Sequence, residues 1–199
     1  MSKIGKNVEE NKTQNLSFEM LKDFGFHSKV PEQVLEKYED KLPSELIGIW
    51  KSYGFGSFLN GYMKIINPDD YTGLLERSYY ASDISIPIFA TAFGDILTFR
   101  DKIFVGLINY RKKDCYTLSS RFGRFITQEP THFLEFNKPK LQCENYEPAV
   151  QMFGKLNYDE CFGYVPLLAW GGSEKVENLQ KMKILPHIDL MSQAIGYME

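Results

Sequence analysis

The sequence predicts an α+β protein: N-terminal helices, a central antiparallel sheet meander, and C-terminal helices packed on the sheet. Three observations carry this reading. Apolar residues recur at helical spacing between residues 31 and 53. Strand-length apolar runs separated by short polar turns fill residues 86–119. Helical spacing then returns after Asn145.

In chain order, residues 1–15 are polar and predict a flexible N-terminus. Residues 31–42 predict a helix, with Pro31 at a first helical position and Val34, Leu35, Tyr38 and Leu42 on one side. Pro43 starts a second helix carrying Leu46, Ile47, Trp50 and Tyr53, and Gly54 stands where a left-handed C-terminal cap belongs. GFGSFLNG (54–61) reads as a connection into a short strand at Tyr62–Ile66. Asn67-Pro68-Asp69-Asp70 is a turn or helix start before a short helix near Tyr71–Arg77.

The meander follows as IPIFATAF (86–93), a Gly94-Asp95 turn, ILTF (96–99), KIFVGLINY (102–110), a charged turn Arg111–Asp114, and CYTLS (115–119). A short strand or ordered loop is expected near Arg124–Ile126, and Thr131–Phe136 fits strand or helix equally. Asn137-Lys138-Pro139-Lys140 is the expected boundary. Beyond it Asn145 caps a helix through Val150, Phe153 and Leu156. Gly171-Gly172-Ser173 opens another with Val176, Leu179 and Met182 inward. Pro186 begins the last, with Ile188, Met191 and Ile195.

Composition narrows the function classes. At 199 residues, 43% hydrophobic and 15% aromatic, the chain buries a substantial core and is not disordered. Its longest unbroken apolar run, Leu167–Trp170, is far too short to span a membrane. The lysine-bearing start has no apolar stretch behind it, so no secretory signal is expected and the cytoplasm is the expected compartment. Cys115, Cys143 and Cys161 form no CxxC pair and are expected as buried or half-buried thiols. The net charge of −3 disfavours a broad nucleic-acid-binding face. Residues 141–199 hold eight Asp and Glu against four Lys, so the C-terminal part is the better surface for a basic partner.

No catalytic or metal pattern assembles. His27, His132 and His187 are isolated, and no HExxH, GxSxG, Walker loop or GxGxxG-helix unit occurs. Gly54-Phe55-Gly56 follows a helix, the wrong context for a nucleotide loop. Glu174 and Glu177 would repel a phosphate from Gly171-Gly172-Ser173. The pairs Asp69-Asp70 and Asp159-Glu160 read as solvated carboxylates. Basic residues interleaved with aromatics at 110–113 and 121–125 fit a single-strand binder or, more simply, solvated turns beside core phenylalanines. The expectation is a non-enzyme without cofactor or metal.

The C-terminal block is more specific. Leu156, Asp159-Glu160, Phe162-Gly163-Tyr164, Val165-Pro166-Leu167, Gly171-Gly172, Val176-Glu177-Asn178-Leu179, Lys181, Lys183 and His187 follow one another. This series resembles the C-terminal domain of type VI secretion DNase-immunity proteins. Residues 24–71, with their helix, Leu-Pro, Trp and Gly-rich turn, resemble the GAD-like domain that precedes it in that family, and more distantly the SUKH immunity superfamily. Trp170 departs from the pattern, which has an aliphatic residue there.

The resemblance implies a GAD-like domain over 16–140 and an immunity-protein C-terminal domain over 141–199, the two packing separately or as one unit. It implies a cytoplasmic antitoxin whose partner is a cognate nuclease toxin, with no direct contact to nucleic acid or membrane. Candidate contacts are Asp159, Glu160, Glu174 and Glu177 for electrostatics and Tyr158, Tyr164 and Trp170 as anchors. Against this, Tyr164 and Trp170 flank a strand and fit a core role, and the four acids fit a merely solvated face. Gly171 and Gly172 serve backbone geometry. The alternative function is a non-catalytic interaction module of the same fold with a non-toxin partner.

Overall fold

The computed structural model describes residues 18–199; the expected flexible segment 1–15 lies outside them. Helices α1 (Glu32–Tyr38) and α2 (Ser44–Tyr53) form where the apolar spacing places them, and Gly54 ends α2 at φ +77°. The Asn67 side chain caps α3 (Pro68–Ser78) by accepting from the Asp69 N–H, so the expected turn is a helix start.

A seven-stranded antiparallel sheet runs in sequence order: β1 (Gly25–Ser28), β2 (Phe55–Phe58), β3 (Met63–Ile65), β4 (Ser85–Thr91), β5 (Ile96–Arg100), β6 (Phe104–Asn109) and β7 (Asp114–Ser119). The last four are the expected meander. Helices cover both faces, and strand alternation divides the core between them. Leu97, Phe99, Val105 and Leu107 join the cluster of α1 and α2, while Ile96, Ile108 and Tyr110 join that of α3.

Three local expectations are corrected, and the open choice at Thr131–Phe136 is settled as helix. GFGSFLNG is not merely a connection: its first half is β2, paired with the unanticipated β1. A side chain at Gly56 would collide with the Phe24 ring and the Gly25 carbonyl. Residues 124–126 belong to α4 (Phe122–Ile126), because Phe122, Phe125 and Ile126 at i, i+3 and i+4 reach one core. Thr131–Phe136 lies in α5 (Pro130–Leu141), capped by the Glu129 carboxylate on the Thr131 and His132 N–H groups. Asn137-Lys138-Pro139-Lys140 is inside that helix, with Asn137 and Leu141 buried behind Phe133.

The third correction concerns residues 176–183. A 3₁₀ turn over Val176–Asn178 leads into strand β9 (Leu179–Lys183), not a helix. It pairs with β8 (Glu160–Tyr164), Leu179 opposite Tyr164 and Met182 opposite Cys161. Before this ribbon stands α6 (Tyr146–Phe153), which stops at Gly154 and leaves Leu156 outside; after it comes α7 (Ile184–Ile195). The Phe162 N–H donates to the Ala92 carbonyl at 2.7 Å, docking the ribbon beside the end of β4. Cys161 is buried, Cys115 and Cys143 are half-buried, and all three are free thiols. No helix among the described residues is long and apolar enough to cross a membrane.

Candidate interaction surface

The expected contact residues fall into three groups. Tyr164 is a core residue, 3% exposed and stacked on Phe93, with its hydroxyl accepting from Asn145 Nδ2 at 2.8 Å. Tyr158 is half-buried: its hydroxyl donates to the Ile65 carbonyl at 2.7 Å and its ring stacks on His27. Trp170 stands apart from both, 61% exposed.

Trp170 is presented by the loop between β8 and β9. Leaving β8 through Val165 and a cis peptide to Pro166, the chain makes a 3₁₀ turn over Leu168–Trp170 and reverses at Gly171, φ +83°. Gly172 then passes so close to the Pro166 carbonyl that a Cβ would overlap it. Asn178 Nδ2 donates to the Ser173 carbonyl and hydroxyl, and Asn145 Nδ2 donates to the Glu174 carbonyl at 3.0 Å. The segment that follows Trp170 is therefore braced, and beside Trp170 the loop leaves Val165 40% exposed.

Beneath it, Leu167, Leu168 and Ala169 line one small cavity with His187 and Met191 of α7. The His187 ring lies against Gly163, where a Cβ would collide with it. Burial lowers the His187 pKa from 6.5 to about 4. The unfolded chain thus takes up this proton near pH 6.5 and the folded one only near 4, so stability falls as pH drops through that window. The expected loss is about 3 kcal/mol by pH 4. His187→Phe keeps a ring and removes the titration, so denaturant midpoints measured from pH 7 to 4 should fall less steeply for it than for the parent. Parallel curves would exclude His187 as the source.

The acids divide likewise. Asp159 pairs with Lys183 at 2.5 Å, and the side-chain hydrogen bond from that lysine lowers its pKa. Glu160 accepts from the Asn157 N–H at 2.9 Å, which lowers its pKa too, and Lys183 stands 3.9 Å away. Glu174 pairs with Lys112 at 2.5 Å. Among the described residues Glu177, Glu144 and Glu147 have no ion pair, and only the first of these is a contact that the sequence predicts. Asp159 and Glu160 thus offer less uncompensated negative charge than these unpaired acids.

Buried polar side chains join the two halves of the chain, a feature invisible as a motif. Arg111, expected in a solvated turn, is 5% exposed. Its guanidinium pairs with the Asp95 carboxylate at 2.6 Å, donates to the Leu141 and Gln142 carbonyls, and lies over the Phe93 ring. The Asp95 charge holds Arg111 firmly protonated against the opposing effect of burial. Lys64, 1% exposed, donates to the Asn157 carbonyl at 3.1 Å and to the Glu160 carbonyl, and burial lowers its pKa to about 8. Tyr146 Oη donates to the Asn60 carbonyl at 2.8 Å.

Among the described residues no group of His, Cys, Asp and Glu is arranged to hold a metal ion. Asp69 of the Asp69-Asp70 pair is bound by Lys37 and the Tyr38 hydroxyl, a structural tie between α1 and α3. With Arg111 buried, the 110–113 cluster presents no continuous basic face.

Comparison with known proteins agrees with this two-part construction. No curated protein sequence matches the chain. Among solved structures, the crystal structure of Atu4351 from Agrobacterium tumefaciens is similar, with a TM-score of 0.70, 18% identity and 88% of each chain covered. At that identity the likeness shows the fold. Residues 15–111 match the model of the GAD-like domain, and residues 127–194 match that of the T6SS immunity protein Tdi1, C-terminal, T6SS denoting the type VI secretion system. Arg111 and Lys64 on one side, and Leu141, Gln142, Asn157 and Glu160 on the other, thus tie the first matched region to the second. The chain thus matches, in order, the model of a GAD-like domain and that of the C-terminal domain of T6SS immunity protein Tdi1.

Proposed function

We propose that this protein is a cytoplasmic immunity protein that binds a cognate antibacterial nuclease toxin and blocks it, acting as a stoichiometric inhibitor and not as an enzyme. The observation that carries the contact surface is Trp170, a large aromatic held out to solvent on a braced loop within the immunity-family domain. Exposed aromatics on preorganised backbone are the side chains that dominate interface energy, because little conformational freedom is lost when they are buried. The unpaired Glu177 in the same loop, and the acidic balance of residues 141–199, favour a basic partner and fast association. A nuclease cleft, built to hold phosphates, is such a partner.

The test is survival of cells that express the toxin's nuclease domain together with this protein, with affinity measured on the purified pair. Wild type should protect and form a one-to-one complex. Trp170→Ala should bind at least about 30-fold more weakly, equivalent to about 2 kcal/mol, with an unchanged thermal midpoint. If wild type protects no better than an empty vector, the immunity reading is wrong. If Trp170→Ala binds as wild type does, the contact surface lies elsewhere.

A further inference from the structure

The groove between α5 and α6 has a composition that the Trp170 loop does not share. It encloses about 310 Å³; Leu59, Leu134 and Tyr146 supply an apolar floor, with Pro148 exposed at its edge. Three carboxylates, Glu135, Glu144 and Glu147, stand on its rim with Lys138 as the single cation among the lining residues. None of the three acids forms an ion pair with a described residue, although a lysine lines the same groove. The Asp23 carboxylate accepts from the Leu59 and Asn60 N–H groups, holding those two residues at φ +53° and +54°. Tyr146 Oη, on the Asn60 carbonyl, locks the opposite wall to the same turn. The groove is thus preformed, apolar below and net negative above.

We propose that this groove receives a segment of the toxin in which basic and apolar side chains alternate, as a second contact beside the Trp170 loop. The proposal rests on the immunity reading and adds to it where the toxin is gripped. Charge complementarity selects the occupant. An apolar side chain fills the floor between α5 and α6, while lysine or arginine side chains on either side meet the rim carboxylates, which are unpaired and so are not competing with an internal partner. A divalent cation fits less well, since no described group of acids is arranged to chelate one. The two surfaces are mechanically joined: Asn145, next to Glu144 at the start of α6, is the residue whose amide braces Tyr164 and the Glu174 carbonyl in the Trp170 loop.

Glu135→Lys combined with Glu144→Lys changes two exposed, unpaired side chains. The full-length variant should associate with the toxin's nuclease domain at least about tenfold more slowly than wild type at low salt, with a flatter salt dependence and an unchanged thermal midpoint. If the double reversal does not fold, Glu135→Gln with Glu144→Gln is measured instead, with a smaller slowing expected. In parallel, a short peptide alternating arginine and leucine is titrated into the wild-type protein. Amide signals of residues 134–138 and of Tyr146, Glu147, Ala149 and Val150 should shift, and a serine-for-leucine peptide should shift them less. Unchanged toxin association by a folded variant overturns the groove assignment while wild-type binding keeps the immunity reading intact. Failure of wild type to bind the nuclease domain overturns both.

Discussion

Replacing Arg111 with methionine is expected to lower stability by about 3–5 kcal/mol, a fall of roughly 10 °C or more in the thermal midpoint for a chain of this size. The side chain is 2% exposed and its partner Asp95 fully buried, so the substitution strips a buried carboxylate of its counter-charge. It also leaves the Leu141 and Gln142 carbonyls at the end of α5 without their donor. Burial already pushes the Asp95 carboxyl up, and Arg111 is the main influence opposing it. Without the guanidinium the carboxylate must take a proton or remain an unpaired charge in the core, and both are costly. Removing the charge from both sides, with Asp95→Asn and Arg111→Met together, should recover part of the loss, because the uncompensated carboxylate is then gone. Equilibrium denaturation of the two single variants and the double variant measures this coupling. A single-variant loss below about 1 kcal/mol would mean that the pair is not what fixes α5 to the sheet.

This pair also shows where sequence reading stops. Arg111, Lys112 and Lys113 form a run with every mark of a solvated hairpin turn, and Lys113 indeed sits exposed at φ +57°. Arg111 turns inward to Asp95, which stands in the β4–β5 turn just before β5, the strand paired with β6. No local pattern encodes that juxtaposition. The helix α2 and the four strands of the meander were legible because their apolar spacing and turn residues agree with the final packing. Residues 176–183 were not, since Val176, Leu179 and Met182 satisfy a helical spacing as well as they satisfy the 3₁₀ turn and strand that form. Pairing with β8, a tertiary choice, decides between the two. Strand β1 left no signal because it is a short edge strand with mostly exposed side chains. At the candidate surface, Tyr164 and Trp170 come from one uncharged stretch and end with opposite exposures, set by which of them lies in β8. The unpaired acids were missed for a related reason: Glu144 and Glu147 look no different in sequence from Asp159, whose charge Lys183 neutralises.

Trp50→Ala should lower stability by about 3–5 kcal/mol as well, by another mechanism. The indole is 2% exposed in the core beneath α2, edge-on to Tyr38 at 6.2 Å and to Phe55 at 5.6 Å between ring centroids. Truncation loses its apolar transfer energy and leaves a void that α1, α2 and β2 cannot close without moving one another. The indole N–H has no hydrogen-bond partner among the described residues, so part of what the ring contributes is already offset by a desolvated donor. Trp50→Phe is therefore expected to cost markedly less than alanine, since it retains an aromatic ring and removes the orphan donor. Urea midpoints for the two variants check the order. Equal losses would mean that the N–H is satisfied in solution, by water or by a shifted carbonyl. Neither substitution touches the Trp170 loop, so toxin affinity measured well below the unfolding transition should stay at the wild-type value. A loss of affinity in a folded Trp50→Ala protein would move the contact surface onto the GAD-like domain.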